Sequence, residues 1–217
     1  MMNNSLYKVF VSSNVGFYLL IVATLGDILI PFILAPFCNK YNHLTMVMSL
    51  LGSKNSPVHV LYSAWLVIAG LMLICGNLSL YKLYANTSTS IAAWLFSIIL
   101  IYAIGGCILS GIFSVGETKE LLTISAKIHG YGSVLGFFAL TFAPLIIAIL
   151  SIRSKYLAMG VISIVFFVLA VLFFVLFVMA DKKTFAKTFI ANEGLWQRLS
   201  LLCMYSPIMI VALKKVL

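Results

Sequence analysis

Charged side chains are scarce in this sequence. Asp, Glu, Lys and Arg make up 9% of the 217 residues, against about 25% in soluble globular domains. An ordinary soluble domain is therefore excluded, and so is a disordered chain, which would need low hydrophobicity. The four cysteines show no C-x-x-C spacing, so a cysteine-based metal or redox motif is not indicated. With only 14 glycines and no repeat, collagen-like and low-complexity classes are excluded as well.

Long hydrophobic runs dominate what is present, since 63% of the residues are hydrophobic. A helix that crosses a bilayer needs about 20 mostly apolar residues, and six stretches meet this length. We therefore predict an all-α, polytopic integral membrane protein that forms a six-helix bundle in a single domain covering residues 1–217. The predicted spans are 15–37, 57–77, 91–113, 131–150, 157–180 and 195–213.

Small and polar residues predict how the spans pack. The fifth span carries only Ser163 as a hydrogen-bonding side chain, so we expect it to face lipid on most sides. The third span contains Gly106 and Ser110, and the fourth contains Gly132 and Gly136. Small residues four positions apart let helix backbones approach closely in membranes. The third and fourth spans are therefore predicted to lie in the bundle interior.

An even number of spans places both chain ends on one face of the membrane. Six Lys and Arg residues fall on that face and eight on the other, so their number alone does not fix the orientation. The pairs Arg153/Lys155 and Lys214/Lys215 directly adjoin span ends, which favours termini in the cytoplasm. Because the cations are scattered at helix ends, we expect membrane lipids as partners and no nucleic acid. The oligomeric state stays open.

The first connector is the most informative loop. Leu44–Leu51 is apolar but too short to cross the bilayer, which predicts a short interfacial or re-entrant helix. Gly52 would end this helix and Pro57 would start the second span. Ser49 lies on this segment and is a candidate ligand-binding residue, although a helix-end role is the simpler interpretation.

Asp27 is the only acid deep inside an apolar stretch, about 15 Å from the end of its span. Placing a charged Asp there costs roughly 2.5–3.5 kcal/mol on insertion scales, so the side chain must face the bundle, be protonated or find a partner. Pro31, four residues later, removes a backbone hydrogen bond and should kink the helix. Asp27 is therefore a candidate functional residue, with a structural hydrogen bond between helices as the alternative.

The face opposite the termini holds most of the other side chains capable of chemistry. His129 opens the fourth span and could exchange protons with nearby carboxylates. Arg198 lies one turn inside the sixth span and needs an anion, such as a lipid phosphate or a Glu. Each has a simpler interpretation as an interfacial anchor. The candidate ligand-binding residues are Asp27, Ser49, His59, Glu117, His129 and Arg198.

Three functions from different classes fit this pattern. The first is binding or moving a lipid or amphiphile through the polar face opposite the termini. The second is a membrane-embedded hydrolase with zinc, although no H-x-x-x-H or H-E-x-x-H pair is present. The third is a proton-coupled carrier that uses Asp27, although the broken helix at Pro31 has no matching second half. No metal site or cofactor is predicted, and catalytic residues are unknown.

Three segments carry a family resemblance. These are MSLLGSKNSP before the second span, GIFSVGE followed by His129, and EGLWQRLS at the start of the sixth span. With them the chain resembles the bacterial six-span proteins grouped as domain of unknown function 998, and more loosely the damage-regulated autophagy modulator group. The resemblance implies a six-span fold with cytoplasmic termini and no particular chemistry. The family usually has Phe, Pro and a nearby Asp in the third connector, where this chain has Phe113, Ser114 and Glu117.

Overall fold

The described part of the chain contains six membrane-length helices. The computed structural model describes residues 14–114 and 122–217, and these ranges contain helices and loops but no strand. Six helices are long and apolar enough to cross a membrane, which confirms the predicted fold class. They are called the first to sixth spans, and they cover Val15–Phe37, His59–Ala85, Thr89–Ile112, Ile124–Arg153, Leu157–Ala180 and Glu193–Val216.

The first and third spans change helix type along their length, and the fourth is interrupted. The first is α-helical over Val15–Leu34 and ends in a 3-10 turn, Ala35–Phe37. The third is α-helical over Thr89–Tyr102, continues as a π-helix over Ala103–Leu109 and ends with Ser110–Ile112. The fourth consists of Ile124–Thr141 and Ala143–Arg153. The second of these segments starts next to Pro144, which lacks the backbone N–H that a continuous helix would need.

The second span is longer than the sequence predicts. It continues eight residues beyond the predicted end at Asn77, to Ala85. Asn77 does not end the helix, because its side chain is fully buried and Nδ2 donates to the Phe96 carbonyl of the third span, at 2.8 Å. Asn77, which the sequence predicts as the end of the second span, instead forms a hydrogen bond between the second and third spans.

Burial differs strongly between spans. Only 11% of the most apolar 18-residue stretch of the fifth span is buried, as predicted for a helix that faces lipid. The corresponding fraction is 50% for the fourth span and 56% for the sixth. The sixth span is therefore the most buried helix, which the sequence did not predict.

The third and fourth spans meet through glycine backbones. A Cβ atom on Gly105 would collide with the Gly132 carbonyl oxygen, and one on Gly136 would lie 2.7 Å from the Gly106 nitrogen. Ser110 donates to the Gly105 carbonyl at 3.0 Å and lies 2.7 Å from the Ser133 hydroxyl. The predicted close approach of these two spans is confirmed.

The loops define two faces of the molecule. The connector face carries the first, third and fifth connectors, and the terminus face carries the second and fourth connectors and the end of the sixth span. On the connector face, the predicted interfacial helix is a five-residue 3-10 helix, Met48–Gly52. It is shorter than predicted, because Leu44 is 50% exposed and the chain becomes buried only at Met48.

Candidate functional site

Arg198 fixes the first connector to the sixth span. Its Nη1 donates to the backbone carbonyls of His43, Met46 and Gly194, at 2.8, 3.1 and 2.7 Å. Its Nη2 donates to the Tyr41 hydroxyl at 2.6 Å. A planar guanidinium can reach acceptors on several sides at once. The partners found for Arg198 are therefore carbonyls and a phenol, where the sequence suggested an anion.

Neighbouring residues add further contacts between the first connector and the start of the sixth span. We call this whole set of contacts the connector latch. The Met48 amide donates to Gln197 Oε1 at 2.7 Å, and the Leu195 amide donates to the Leu44 carbonyl at 2.9 Å. The Arg198 guanidinium also lies 5.8 Å from the centroids of the Phe32 and Tyr41 rings, within cation–π range. Backbone and side-chain hydrogen bonds together hold residues 41–48 against the start of the sixth span.

The first connector, held by the latch, borders an open pocket of about 480 Å³. Its described lining combines polar and apolar side chains, and Lys40 is the one among them that carries a full charge. Cys38 lies in the wall, with Sγ 3.5 Å from the Ser56 hydroxyl. The lining residues are Phe37, Cys38, Asn39, Lys40, Tyr41, Met46, Leu50, Leu51, Ser53, Asn55, Ser56 and Pro57. Tyr41 and Met46 line the pocket and also take part in the latch. A movement of the latch would therefore change the shape of the pocket.

His43 lies in the latch between two aromatic rings. Its ring stacks on Phe32 with centroids 4.5 Å apart and meets Tyr41 edge-on at 5.3 Å. Burial, and then the Arg198 charge, lower the pKa of His43 below its ordinary value. Burial raises the pKa of Tyr41, against the opposing effect of Arg198, so its phenol stays neutral. Arg198 is thus the charged member of this group at neutral pH.

The latch is expected to loosen in acid. The latched connector lowers the pKa of His43, so the released connector binds the proton more tightly. The contribution of His43 to the stability of the latch is therefore complete above about pH 6.5. It is lost as the pH falls from there through the lowered pKa. Hydrogen–deuterium exchange of residues 41–53 should therefore be faster at pH 5 than at pH 7.5, after correction for the intrinsic exchange rate. His43→Phe keeps a ring against Phe32 and should abolish this difference. An unchanged pH dependence in the variant would contradict the assignment to His43.

Asp27 lies at the centre of a buried polar cluster. Its Oδ2 accepts hydrogen bonds from the hydroxyls of Tyr102, at 2.9 Å, and Tyr205, at 2.7 Å. The two hydroxyls lie 2.9 Å apart. All three side chains are at most 4% exposed. The first, third and sixth spans therefore share one hydrogen-bonded node at mid-depth, which we call the Asp27 node.

The other candidate residues predicted from the sequence take no part in the hydrogen bonds of Arg198 or of Asp27. His59 Nδ1 lies 2.7 Å from the Gly52 carbonyl, where the ring closes the end of the 3-10 helix. His129 is buried, with Nδ1 2.8 Å from the Phe113 carbonyl. Ser49 is half-buried in the 3-10 helix. Glu117 lies outside the described residues.

The candidates do not form one site. Among the described residues, none of Asp27, Ser49, His59, His129 and Arg198 lines the connector pocket. No group of three His, Cys, Asp or Glu side chains within 14–114 and 122–217 could hold a metal ion. The pocket borders the first connector, the loop that the sequence singles out, but its lining residues and the tyrosine partners of Asp27 were not predicted.

Comparison with known proteins gives one match. The family model described as "Protein of unknown function (DUF998)" matches residues 21–214. No curated protein and no solved structure matches the chain. The matched range contains all of the connector latch, the connector pocket and the Asp27 node.

Proposed function

The chain belongs to the DUF998 family of proteins of unknown function, and we propose that it binds a lipid or similar amphiphile in the connector pocket. The observation that supports this is a pocket of about 480 Å³ at the end of the spans, with polar and apolar walls. Binding sites for small molecules span roughly 300–1,000 Å³ and combine apolar walls with a few placed polar groups. This volume suits a headgroup and the first part of an acyl chain.

The side chains that line the pocket indicate which kind of headgroup it would accept. Asn39, Asn55 and Ser53 offer amide and hydroxyl groups, and Lys40 supplies a positive charge. An amphiphile with an anionic or neutral polar headgroup is therefore favoured over a cationic one. Phe37 and Leu50 supply apolar contacts for the chain beside the headgroup.

The latch gives the pocket a defined shape. Tyr41 lines the pocket and also accepts a hydrogen bond from Arg198. A ligand that packs on Tyr41 would stabilise the latched connector, and release of the latch would open the pocket. In this proposal Arg198 is a positioning residue. We further propose that the termini lie in the cytoplasm of a bacterial membrane, which places the pocket at the opposite leaflet.

Cys38 offers a native reporter of ligand binding. We expect that a lysophospholipid or fatty acid slows alkylation of Cys38 by a maleimide at least fivefold in lipid-depleted protein held in amphipol. The variant for this measurement keeps Cys38 and replaces Cys75, Cys107 and Cys203 with alanine. A matched variant that keeps only Cys75, half-exposed within the second span and not in the pocket lining, should show no such protection.

Two results would refute the proposal. One is an equal effect of the amphiphile on Cys38 and Cys75, which would indicate general shielding by the added molecule. The other is no protection of Cys38 by any phospholipid, lysophospholipid or fatty acid.

A proton-coupled carrier is the second candidate, because Asp27 and two tyrosines form a buried chain of exchangeable protons. Such a carrier would need a path from the Asp27 node to a membrane face. Asp27→Asn keeps an acceptor for the tyrosines but cannot release a proton. A carrier would thus lose proton-coupled uptake in this variant with its folding retained, and an amphiphile-binding protein would still protect Cys38.

A further inference from the structure

A second pocket, of about 370 Å³, opens on the terminus face. It lies where the end of the second span meets the fourth connector and the end of the sixth span. Tyr84, Ser151, Ser154, Lys214 and Lys215 are among its lining residues. None of these residues takes part in the connector pocket, the latch or the Asp27 node.

The hydroxyl groups of this pocket include a spare donor. Tyr84 and Ser151 are both buried and their hydroxyls lie 3.2 Å apart. Two hydroxyls carry two protons and their mutual hydrogen bond uses one, so the other can donate to a bound group. The neighbouring Ser154 donates to the Leu150 carbonyl at 2.8 Å and lies 2.7 Å from the Thr87 hydroxyl. These two hydroxyls use their protons within the protein.

The charge of this region is positive. Lys214 and Lys215 are exposed at the end of the sixth span and border the pocket. No Asp or Glu lies among the described residues of its lining. The acids among the described residues are Asp27, inside the bundle, and Asp181 and Glu193, at the ends of the fifth and sixth spans on the connector face. An anion here would meet two cations and at least one hydroxyl donor, with no carboxylate lining the pocket to repel it.

We propose that this pocket binds a phosphate group, supplied by the headgroup of an anionic phospholipid in the leaflet at the terminus face. Basic pockets between membrane helices are suited to lipid phosphates, since each Lys near an anionic surface contributes about a fivefold preference. Met159 and Val211 line the same pocket and offer apolar contacts to an acyl chain. The site is independent of the proposed function, because it uses other residues on the other face.

The test measures thermal unfolding of lipid-depleted full-length protein with added phosphatidylglycerol, phosphatidylcholine or inorganic phosphate. Phosphatidylglycerol should raise the melting temperature in proportion to the logarithm of its concentration, by about 5–10 °C at a concentration about a hundredfold above its Kd. Phosphatidylcholine should raise it by less than half as much. Lys214→Gln/Lys215→Gln should weaken the phosphatidylglycerol effect about tenfold in apparent Kd.

Two further variants separate a built pocket from diffuse surface charge. Lys182→Gln/Lys183→Gln removes the same charge from exposed positions on the connector face and should change the apparent Kd less than threefold. Tyr84→Phe/Ser151→Ala removes the hydroxyl donors without a change in charge and should weaken binding about fivefold.

Each result of these measurements either supports or overturns the proposed phosphate site. The expected order among variants supports a phosphate site, and the same order with inorganic phosphate alone supports that site with free phosphate as its ligand. Equal losses in the two lysine pairs, equal effects of both phospholipids, or no effect of Tyr84→Phe/Ser151→Ala would overturn it. None of these results depends on Cys38, so failure here leaves the connector pocket untouched.

Discussion

Asp27→Ala is expected to lower the melting temperature of the protein by roughly 6–20 °C. The change leaves two buried tyrosine hydroxyls without their shared acceptor and opens a cavity where the first, third and sixth spans meet. An orphaned buried polar group costs about 1–3 kcal/mol. The two hydroxyls lie 2.9 Å apart and can then bond to each other, so one donor is left without a partner. That group and the cavity together cost about 3–5 kcal/mol, at about 2–4 °C per kcal/mol for a chain of this size. The measurement is thermal unfolding in one detergent or amphipol.

Conservative variants separate the hydrogen bonds from the cavity. Asp27→Asn keeps an oxygen acceptor of the same shape and should retain more than half of the lost stability. Tyr205→Phe and Tyr102→Phe each remove one hydroxyl and should cost less than Asp27→Ala. A melting temperature for Asp27→Ala within 2 °C of the wild type would show that the node does not hold the three spans together.

Arg198→Ala is expected to free the first connector and to lower the melting temperature by about 5–10 °C. The substitution removes donors to three carbonyls and one phenol. Hydrogen bonds that involve a charged group are worth about 1.5–3 kcal/mol each but are not additive within one network. Hydrogen–deuterium exchange over residues 41–53 should rise at least tenfold, while exchange in the fourth span stays unchanged.

Two companion variants sharpen this test. Arg198→Lys keeps the charge but lacks the planar fork that reaches Tyr41 and the carbonyls together, so it should restore less than half of the protection. Arg153→Ala removes an exposed arginine at the end of the fourth span, on the terminus face, and should leave the connector unchanged. Full protection in Arg198→Lys would mean that charge alone holds the connector.

The sequence predicts the membrane bundle well because each span must be apolar over the thickness of the bilayer. The predicted boundaries of the fifth span, 157–180, match the helix Leu157–Ala180. Boundaries are less predictable where polar residues are buried, as Asn77 shows. The central place of the sixth span was also missed, because it opens with Trp196, Gln197 and Arg198, which resemble an interfacial segment. Gln197 and Arg198 instead form hydrogen bonds with the first connector, and Trp196 stacks on Phe173 of the fifth span.

The candidate site was predictable only in part. Asp27 stands out because a buried acid requires partners, but its partners are 75 and 178 residues away along the chain. A usable signal was present, since tyrosines in membrane proteins usually lie at the interfaces, and Tyr102 and Tyr205 lie near the middle of their spans. The connector pocket had no comparable signal, because its shape depends on where the latch places the backbone.

Photolabelling with a lipid tests the proposed binding site most directly. A phospholipid with a photoactivatable group near its headgroup would be added to the purified protein, and the labelled peptides identified by mass spectrometry. We predict that labelling concentrates in residues 37–57 and is competed by excess unlabelled lipid. Labelling confined to exposed surfaces such as Leu157–Ala180, or labelling of 37–57 that no lipid competes, would contradict a binding site under the first connector.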